Sequence, residues 1–299
     1  MVQTLNFSLA GLIVGFRIKH KELESKISPD LMRLQSDRNP DIQIEVSYRA
    51  RNKIPIEDIP GPYPHRLPFL WRPRKIQCYS LSSSRQTGRC YGVIKLDKSC
   101  KRGDFLIDRD CSFPKQRPPL DVPVLFVLLG QIFPGQIISL HATGGLDKTT
   151  GKGMLFAGLS GAGKTTMANL WEKEGARVLG EEQIIIRKIG RKLWGYPYPG
   201  INGQVTNSCP KITLDAIFLL RHAPRNILKG LVREEIIHRL FNLARFASTA
   251  YPPCPKDLLN SYSFIDDTIE AVPVYELGFV PNRKIIDFVR RQLTSIPKA

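Results

Sequence analysis

A glycine-rich segment in the second half of the chain constrains the fold more than any other feature. It reads Gly-Leu-Ser-Gly-Ala-Gly-Lys-Thr from Gly158 to Thr165, and we refer to these residues as the glycine loop. An apolar run of strand type, 154–157, precedes it, and a segment with helical spacing, 166–175, follows it. This spacing matches G-x-x-x-x-G-K-[ST], a loop whose backbone N–H groups surround phosphate oxygens between a strand and a helix. The sequence therefore predicts a nucleotide-binding α/β domain.

Individual positions of the glycine loop have predicted roles. Gly161 and Gly163 permit a tight turn, and the helix that follows adds its positive N-terminal end. Lys164 is placed to reach the terminal phosphates, and the Thr165 hydroxyl to ligate Mg²⁺. The residue after the loop is a candidate for the α-phosphate or an ordinary first-turn residue. The predicted nucleotide-binding residues are Gly158, Leu159, Ser160, Gly161, Ala162, Gly163, Lys164, Thr165 and Thr166.

Two adjacent carboxylates, Glu181 and Glu182, are the next candidates. They follow a short strand at 178–179, which we expect to lie beside the strand of the glycine loop. Carboxylates at the carboxyl end of such a strand face the metal and the terminal phosphate. One can ligate magnesium while the other takes a proton from an attacking hydroxyl. A charged turn at the surface is the alternative interpretation.

Two histidines and an arginine are weaker candidates. His141 ends a β-type run, 136–140, that we expect to be the hairpin partner of the glycine-loop strand. Arg221 and His222 end an apolar strand, 216–221. Arg221 is a candidate for stabilising phosphate charge. A lone histidine is more often structural than catalytic, and that alternative stays open for both histidines.

The composition narrows the choice of partners. The 299 residues carry a formal net charge of +17, which favours acidic or phosphorylated partners. Helix-turn-helix, zinc-finger and ribonucleoprotein signatures are absent, so specific nucleic-acid recognition is not expected. The six cysteines include no C-x-x-C pair, which argues against a zinc site. We expect reduced buried thiols, and disulfides among the first four cysteines are the alternative. No secretion signal or membrane-length apolar stretch is recognised, so a cytoplasmic protein without a membrane partner is expected.

The chain changes character near Arg117. Residues 1–117 are basic and β-rich, with a weak helix candidate at 23–34, and could dock a substrate or complete the fold of the rest. In residues 118–299, strands and helices alternate around the glycine loop. This alternation predicts an α/β phosphate-loop domain preceded by a β-rich region.

Several motifs together resemble those of HPr kinase/phosphorylase-like proteins. The matching segments are His141–Gly145, the glycine loop, Arg177–Glu182, 216–224 and 270–277. The C-terminal domain of that family shares a fold with phosphoenolpyruvate carboxykinase. The resemblance implies an ATP- and Mg²⁺-dependent kinase that transfers the γ-phosphate to a serine hydroxyl of a protein or peptide. The family's histidine falls on His141, and its acidic pair on Glu181 and Glu182.

The chain departs from this pattern at the acidic pair, because the family has aspartates there. In the reading that follows from the resemblance, Glu181 activates the acceptor hydroxyl and Glu182 assists the metal. Glutamate is one methylene longer, and transfer chemistry is sensitive to displacements of about 1 Å. One alternative is therefore a nucleotide-binding protein with weak or no catalysis, acting in a peptide-maturation or regulatory complex. A small-molecule kinase is a second alternative, and a homo-oligomer is compatible with each of these readings.

Overall fold

The computed structural model describes residues 3–50, 77–82, 90–110, 118–180, 182–199, 210–245 and 255–295. Glu181 lies outside these ranges, as do Cys111, Cys209 and Cys254, so the predictions made on them stay predictions. The chain divides into two compact units. The first holds the described residues up to Ile132 together with 255–257, and the second holds those of 133–245 and 258–295. No helix among the described residues combines the length and the apolar character needed to cross a bilayer.

The strands are numbered in chain order. They are β1 (Gln3–Leu9), β2 (Leu12–Ile18), β3 (Ile42–Arg49), β4 (Gln77–Ser82), β5 (Cys90–Leu96), β6 (Arg102–Asp108), β7 (Ile137–Leu140), β8 (Ala142–Leu146), β9 (Gly153–Ala157), β10 (Arg177–Gly180), β11 (Ile184–Ile189), β12 (Lys192–Pro197), β13 (Ile212–Thr213), β14 (Ala216–His222), β15 (Ile227–Gly230), β16 (Ala244–Arg245) and β17 (Val274–Phe279). The α-helices are α1 (Pro29–Met32), α2 (Val122–Ile132), α3 (Lys164–Lys173), α4 (Arg233–Leu243), α5 (Pro255–Ala271) and α6 (Lys284–Ser295).

The first unit contains a mixed sheet in the order β1-β2-β3-β6-β5-β4. The hairpin of β1 and β2 turns at Ala10 and Gly11, whose φ angles of 48° and 81° suit the tight turns that join antiparallel strands. The predicted helix at 23–34 is wrong as one element. Ser28 precedes Pro29 and is extended, because proline disfavours the helical conformation in the residue before it. A 3₁₀ helix, Lys21–Lys26, and the short α1 lie on either side.

The segment leading into α2 is tied to the first unit. Leu120 forms a bridge with Ile27, and the Ser28 hydroxyl donates to Asp121 over 2.6 Å. The compact units accordingly divide after Ile132, whereas the change in composition occurs near residue 117.

The main sheet of the second unit has the order β10-β8-β9-β14-β17-β15. Strands β9, β14 and β17 are parallel, so the glycine loop leaves the sheet at their shared carboxyl edge. The expectation that β10 lies beside β9 is wrong, because β8 pairs with both of them. Gly144 and Gly145 allow β8 to lie close between β10 and β9, since a Cβ on either glycine would lie 2.4 Å from a backbone oxygen of the neighbouring strand. Strand β10 still runs parallel to β9 and ends at the same edge.

A second, antiparallel sheet in this unit has the order β13-β12-β11-β7-β16. It contains the predicted hairpin of β11 and β12. It also contains β7, so the expectation that 136–140 is the hairpin partner of the glycine-loop strand is wrong. That partner is β8. His141 is the single residue between β7 and β8, where the chain passes from one sheet to the other.

Two buried clusters enclose the main sheet. One, which includes Leu140, Leu155 and Ile217, joins its inner face to the antiparallel sheet and to α4 and α5. The other, which includes Phe156, Met167 and Ile286, packs α3 and α6 on the opposite face. Both faces of β9 are therefore packed against core side chains, and the glycine loop starts from a rigid strand.

Candidate functional site

The glycine loop connects β9 to α3 in the order strand, loop, helix. All five residues of β9 are buried, whereas the side of the loop at Leu159, Ser160 and Gly161 is exposed. Gly161 and Gly163 have φ angles of 82° and 94°, a conformation that glycine adopts at little cost. Gly163 is also the N-cap of α3. The loop thus places backbone N–H groups and a helix N-terminus at an exposed edge of the sheet.

Lys164 is the charged centre of the loop. Its side chain is folded back under the loop, and the residue is only 6 % exposed. The ammonium donates to the carbonyl oxygens of Gly158 and Leu159, each over 3.0 Å. Within the described residues it has no carboxylate within ion-pair distance. Burial lowers the pKa of Lys164, and the more distant charge of Glu182 acts in the opposite direction.

His141 and Glu182 meet beside the start of the loop. His141 Nε2 lies 3.1 Å from Glu182 Oε2, and an ionised Glu182 would accept the imidazole N–H. The backbone of His141 is fixed on both sides, since its carbonyl accepts from the Gly158 N–H over 3.2 Å and its N–H donates to Leu243 over 2.9 Å. The first glycine of the loop is therefore bonded directly to the residue that contacts Glu182.

The carboxyl end of β10 is held in place from β8. The Thr143 hydroxyl is buried and donates to the Gly180 carbonyl over 2.6 Å. Glu182 follows two residues later, with its side chain 37 % exposed. The structure thus brings together three of the predicted residues that are far apart in sequence, namely His141, Lys164 and Glu182.

The other loop residues lie where the sequence predicts them. Thr165 and Thr166 are in the first turn of α3, and both are exposed. Leu159 is 67 % exposed, although it is apolar. The Thr165 side chain is therefore accessible to solvent.

Arg221 is directed away from the loop. Its Nε donates to Glu276 of β17 over 3.1 Å, and Glu276 also accepts from Arg239 of α4 over 2.7 Å. Burial would raise the pKa of Glu276, but the two guanidinium groups outweigh this effect and lower it. Arg221 therefore pairs with the buried carboxylate of Glu276. Among the described residues it makes no contact with the glycine loop.

His222, the next residue, does contact the loop. Its Nε2 lies 2.9 Å from the carbonyl oxygen of Gly161, and its ring stacks on Phe279 with centroids 5.7 Å apart. Side chains alternate along a strand, which explains why two neighbours have such different surroundings.

The described oxygen donors near the loop suit a magnesium ion and do not form a closed, all-protein metal site. Among the described residues, no three His, Cys, Asp or Glu side chains form a group that could hold a metal ion. The Thr165 hydroxyl and the Glu182 carboxylate are oxygen donors, and Mg²⁺ is commonly held by one or two protein ligands together with substrate phosphates. The oxygen donors present therefore fit a magnesium ion.

Comparisons with known proteins add little to this geometry. No protein-family model matches the sequence, and no curated protein matches it. Among solved structures, the Hpr(Ser) kinase/phosphatase from Coxiella burnetii is similar with a TM-score of 0.30 and 11 % identity. That similarity covers 52 % of this chain and 94 % of that chain. It is too low to bear on function, so the proposals below rest on the residues described above and on the resemblance of the sequence motifs.

Thr143 and Phe279 are site-supporting residues that the sequence analysis did not single out. Thr143 lies in the segment that resembles HPr-kinase-like proteins, next to two glycines, so the close approach of strands there was the available signal. Phe279 lies in an apolar strand and is indistinguishable from a core residue by pattern. The parallel register pairs it with His222, and the close approach of its ring to Gly163 places it under the loop.

Proposed function

We propose that this chain is an ATP-dependent phosphotransferase of HPr-kinase-like type that transfers the γ-phosphate to a serine hydroxyl of a protein or peptide. The observation that carries the proposal is the buried ammonium of Lys164. Buried charged groups are nearly always paired, and this one contacts only loop carbonyls among the described residues. A phosphate held by the loop amides would supply the missing negative charge.

The phosphate-binding half of the proposed site comprises residues 158–166. The backbone N–H groups around Gly161 and Gly163 and the N-terminus of α3 would hold the phosphates. Lys164 would neutralise the terminal phosphates, and Thr165 and Glu182 would hold Mg²⁺. The magnesium ion, when bound, neutralises charge on the phosphate oxygens.

The acid–base half comprises the two glutamates and His141. Glu181 would accept the proton of the serine hydroxyl as that oxygen bonds to the γ-phosphorus and the bond to ADP breaks. His141 would orient Glu182, since its N–H is within hydrogen-bond distance of that carboxylate. Glu181 as the base follows from the resemblance, and it adjoins the described residue Glu182.

A nucleotide-binding protein without transfer activity is the second candidate. Glu182 is already bonded to His141, and glutamates stand where HPr-kinase-like proteins have aspartates. A site that binds ATP through Lys164 but holds its carboxylates about 1 Å out of place would lose transfer and keep binding.

Transfer of labelled γ-phosphate to a degenerate library of serine-containing peptides, with Mg²⁺ present, tests the first candidate. We expect incorporation with the wild type and none above background with Lys164→Ala. Glu181→Gln should lose activity by about 10²- to 10⁴-fold while ATP binding persists, because only proton transfer is removed. His238→Ala, an exposed histidine of α4 bonded to Asn242, is the control.

Two results would decide against parts of this account. Retention of ATP binding by a wild type that transfers no phosphate to any peptide would favour the second candidate. Full activity of Glu181→Gln would remove Glu181 as the base and leave the kinase itself standing.

A further inference from the structure

His222 forms a polar contact with the glycine loop from the neighbouring strand. It is the last residue of β14, and its ring lies on the side of the main sheet that packs against α3. Since a carbonyl oxygen only accepts, the 2.9 Å contact with Gly161 requires a proton on Nε2 that is donated to the loop. His222 is exposed, so this contact is made at the surface of the site and not within the core.

Phe279 supports the same part of the loop. It is the register partner of His222 on the adjacent parallel strand, and the two rings are stacked with an interplanar angle of 28°. A Cβ on Gly163 would lie 2.5 Å from Phe279 Cζ and 3.6 Å from His222 Cε1. The backbone at Gly163 therefore passes directly over both rings.

We propose that His222 is a positioning residue for the glycine loop. With Phe279 as the surface beneath, its hydrogen bond holds Gly161 and Gly163 in their positive-φ conformations. The consequence for ATP rests on the proposed function, whereas the effect on the loop does not. Binding of an anion by backbone amides costs less when those amides are already ordered.

The exposure of His222 distinguishes a role in positioning the loop from a role in stabilising the whole fold. The ring of His222 stacks on Phe279, which is buried in the core cluster on this face, but the His222 side chain itself is exposed. Truncation of His222 removes this one stacking contact and leaves the buried side chains of the cluster in place. Its loss should therefore change the order of the loop more than the stability of the chain.

Hydrogen–deuterium exchange of the nucleotide-free, full-length protein tests the inference. In His222→Ala we expect exchange at the Ala162 amide, which donates to the Leu159 carbonyl over 3.1 Å, to rise about fivefold to tenfold, the size of one lost hydrogen bond. His222→Gln keeps a donor and should restore slow exchange, whereas His222→Phe keeps only the ring and should not. His238→Ala, on an exposed face of α4, should match the wild type.

A second readout is the affinity for ATP, measured with the same variants. We expect Kd for ATP to rise about fivefold to tenfold in His222→Ala, with kcat at saturating ATP changed less than KM. Slow exchange in His222→Ala equal to that of the wild type would overturn the inference, and so would rescue by phenylalanine but not by glutamine. A wild type that binds no ATP would defeat the proposed function, and the exchange data would still decide the role of His222.

Discussion

At the scale of single residues, Lys164 lowers the stability of the folded chain and is the proposed contact for the nucleotide phosphates. Its ammonium is buried, and burial lowers its pKa because the charged form is poorly solvated there. Such a side chain contributes less to folding than an apolar one of similar length. Sequence pattern places this lysine at the loop, but only the structure shows that it is folded underneath and that no described carboxylate contacts it.

Replacement of Lys164 by methionine should therefore not destabilise the nucleotide-free protein. We expect the variant to be at least as stable as the wild type at pH 7, by up to about 1 kcal/mol. The gap should close as pH rises through the lowered pKa of Lys164, because the neutral amine carries no desolvation cost in the folded state. Urea denaturation at pH 7 and at higher pH measures both effects.

Lys173→Met is the matched control, since Lys173 lies on the same helix and is exposed. The difference in stability between Lys173→Met and the wild type should be the same at pH 7 and at higher pH. A clear loss of stability in Lys164→Met would mean that the ammonium is better stabilised by the described loop than its burial implies.

At the scale of elements, a buried ion pair connects the hairpin of β8 and β9 to α6. Asp147 is fully buried in the turn of the hairpin, and Arg290 of α6 donates to both of its carboxylate oxygens, over 2.9 and 3.2 Å. The Thr150 hydroxyl donates to the same carboxylate over 2.8 Å. Burial would raise the pKa of Asp147, but these donors outweigh it and the pKa is lowered.

Asp147→Asn should destabilise the protein by about 3 kcal/mol at pH 7, since it leaves Arg290 without its charge partner. The lowered pKa means that the unfolded chain takes up the proton first as pH falls. The contribution of Asp147 is therefore complete above its unfolded pKa of about 3.9 and declines as pH falls from there through the folded pKa. Denaturation at pH 7 and near pH 3 should show the difference between variant and wild type shrinking.

Asp267→Asn controls for the loss of a surface charge. Asp267 pairs with Lys188, and both side chains are more than a third exposed, so we expect a loss below about 1 kcal/mol. An equal loss of stability in Asp147→Asn and Asp267→Asn would show that the buried pair of Asp147 and Arg290 does not stabilise the hairpin.

Local elements were predictable from the sequence where their pattern is self-contained. The helix after the glycine loop has apolar residues at helical spacing and stops just before Gly175, and the hairpin of β11 and β12 turns at Gly190. Pairing between strands was not predictable in the same way. The β7 and β8 segments are consecutive and both buried, so nothing in their pattern assigns them to different sheets.

In the candidate site, too, contiguous motifs were predictable from the sequence and contacts between strands were not. The glycine loop is a continuous motif, so its residues follow from the sequence. The contact of His141 with Glu182 depends on the crossing between two sheets, and that of His222 with Gly161 depends on parallel register. Arg221 has the charge expected of a phosphate ligand, yet a buried glutamate on the adjacent strand orients it elsewhere.

At the scale of the whole molecule, the described residues form two compact units, and the proposed site lies in the second. The net charge of +17 belongs to the chain as a whole and favours an acidic or phosphorylated partner by long-range attraction. The protein or peptide acceptor is proposed from the resemblance of the motifs, and the proposal depends first on the claim that the glycine loop binds a nucleotide.

Calorimetric titration of the full-length protein with ATP and Mg²⁺ tests that claim most directly. We predict saturable binding by the wild type, and an affinity about 100-fold lower in Lys164→Met, because the charge-assisted contacts to the phosphates are lost from a chain that remains folded. Lys173→Met should bind like the wild type. Equal affinity of the wild type and a folded Lys164→Met, or the absence of binding by both, would contradict the account.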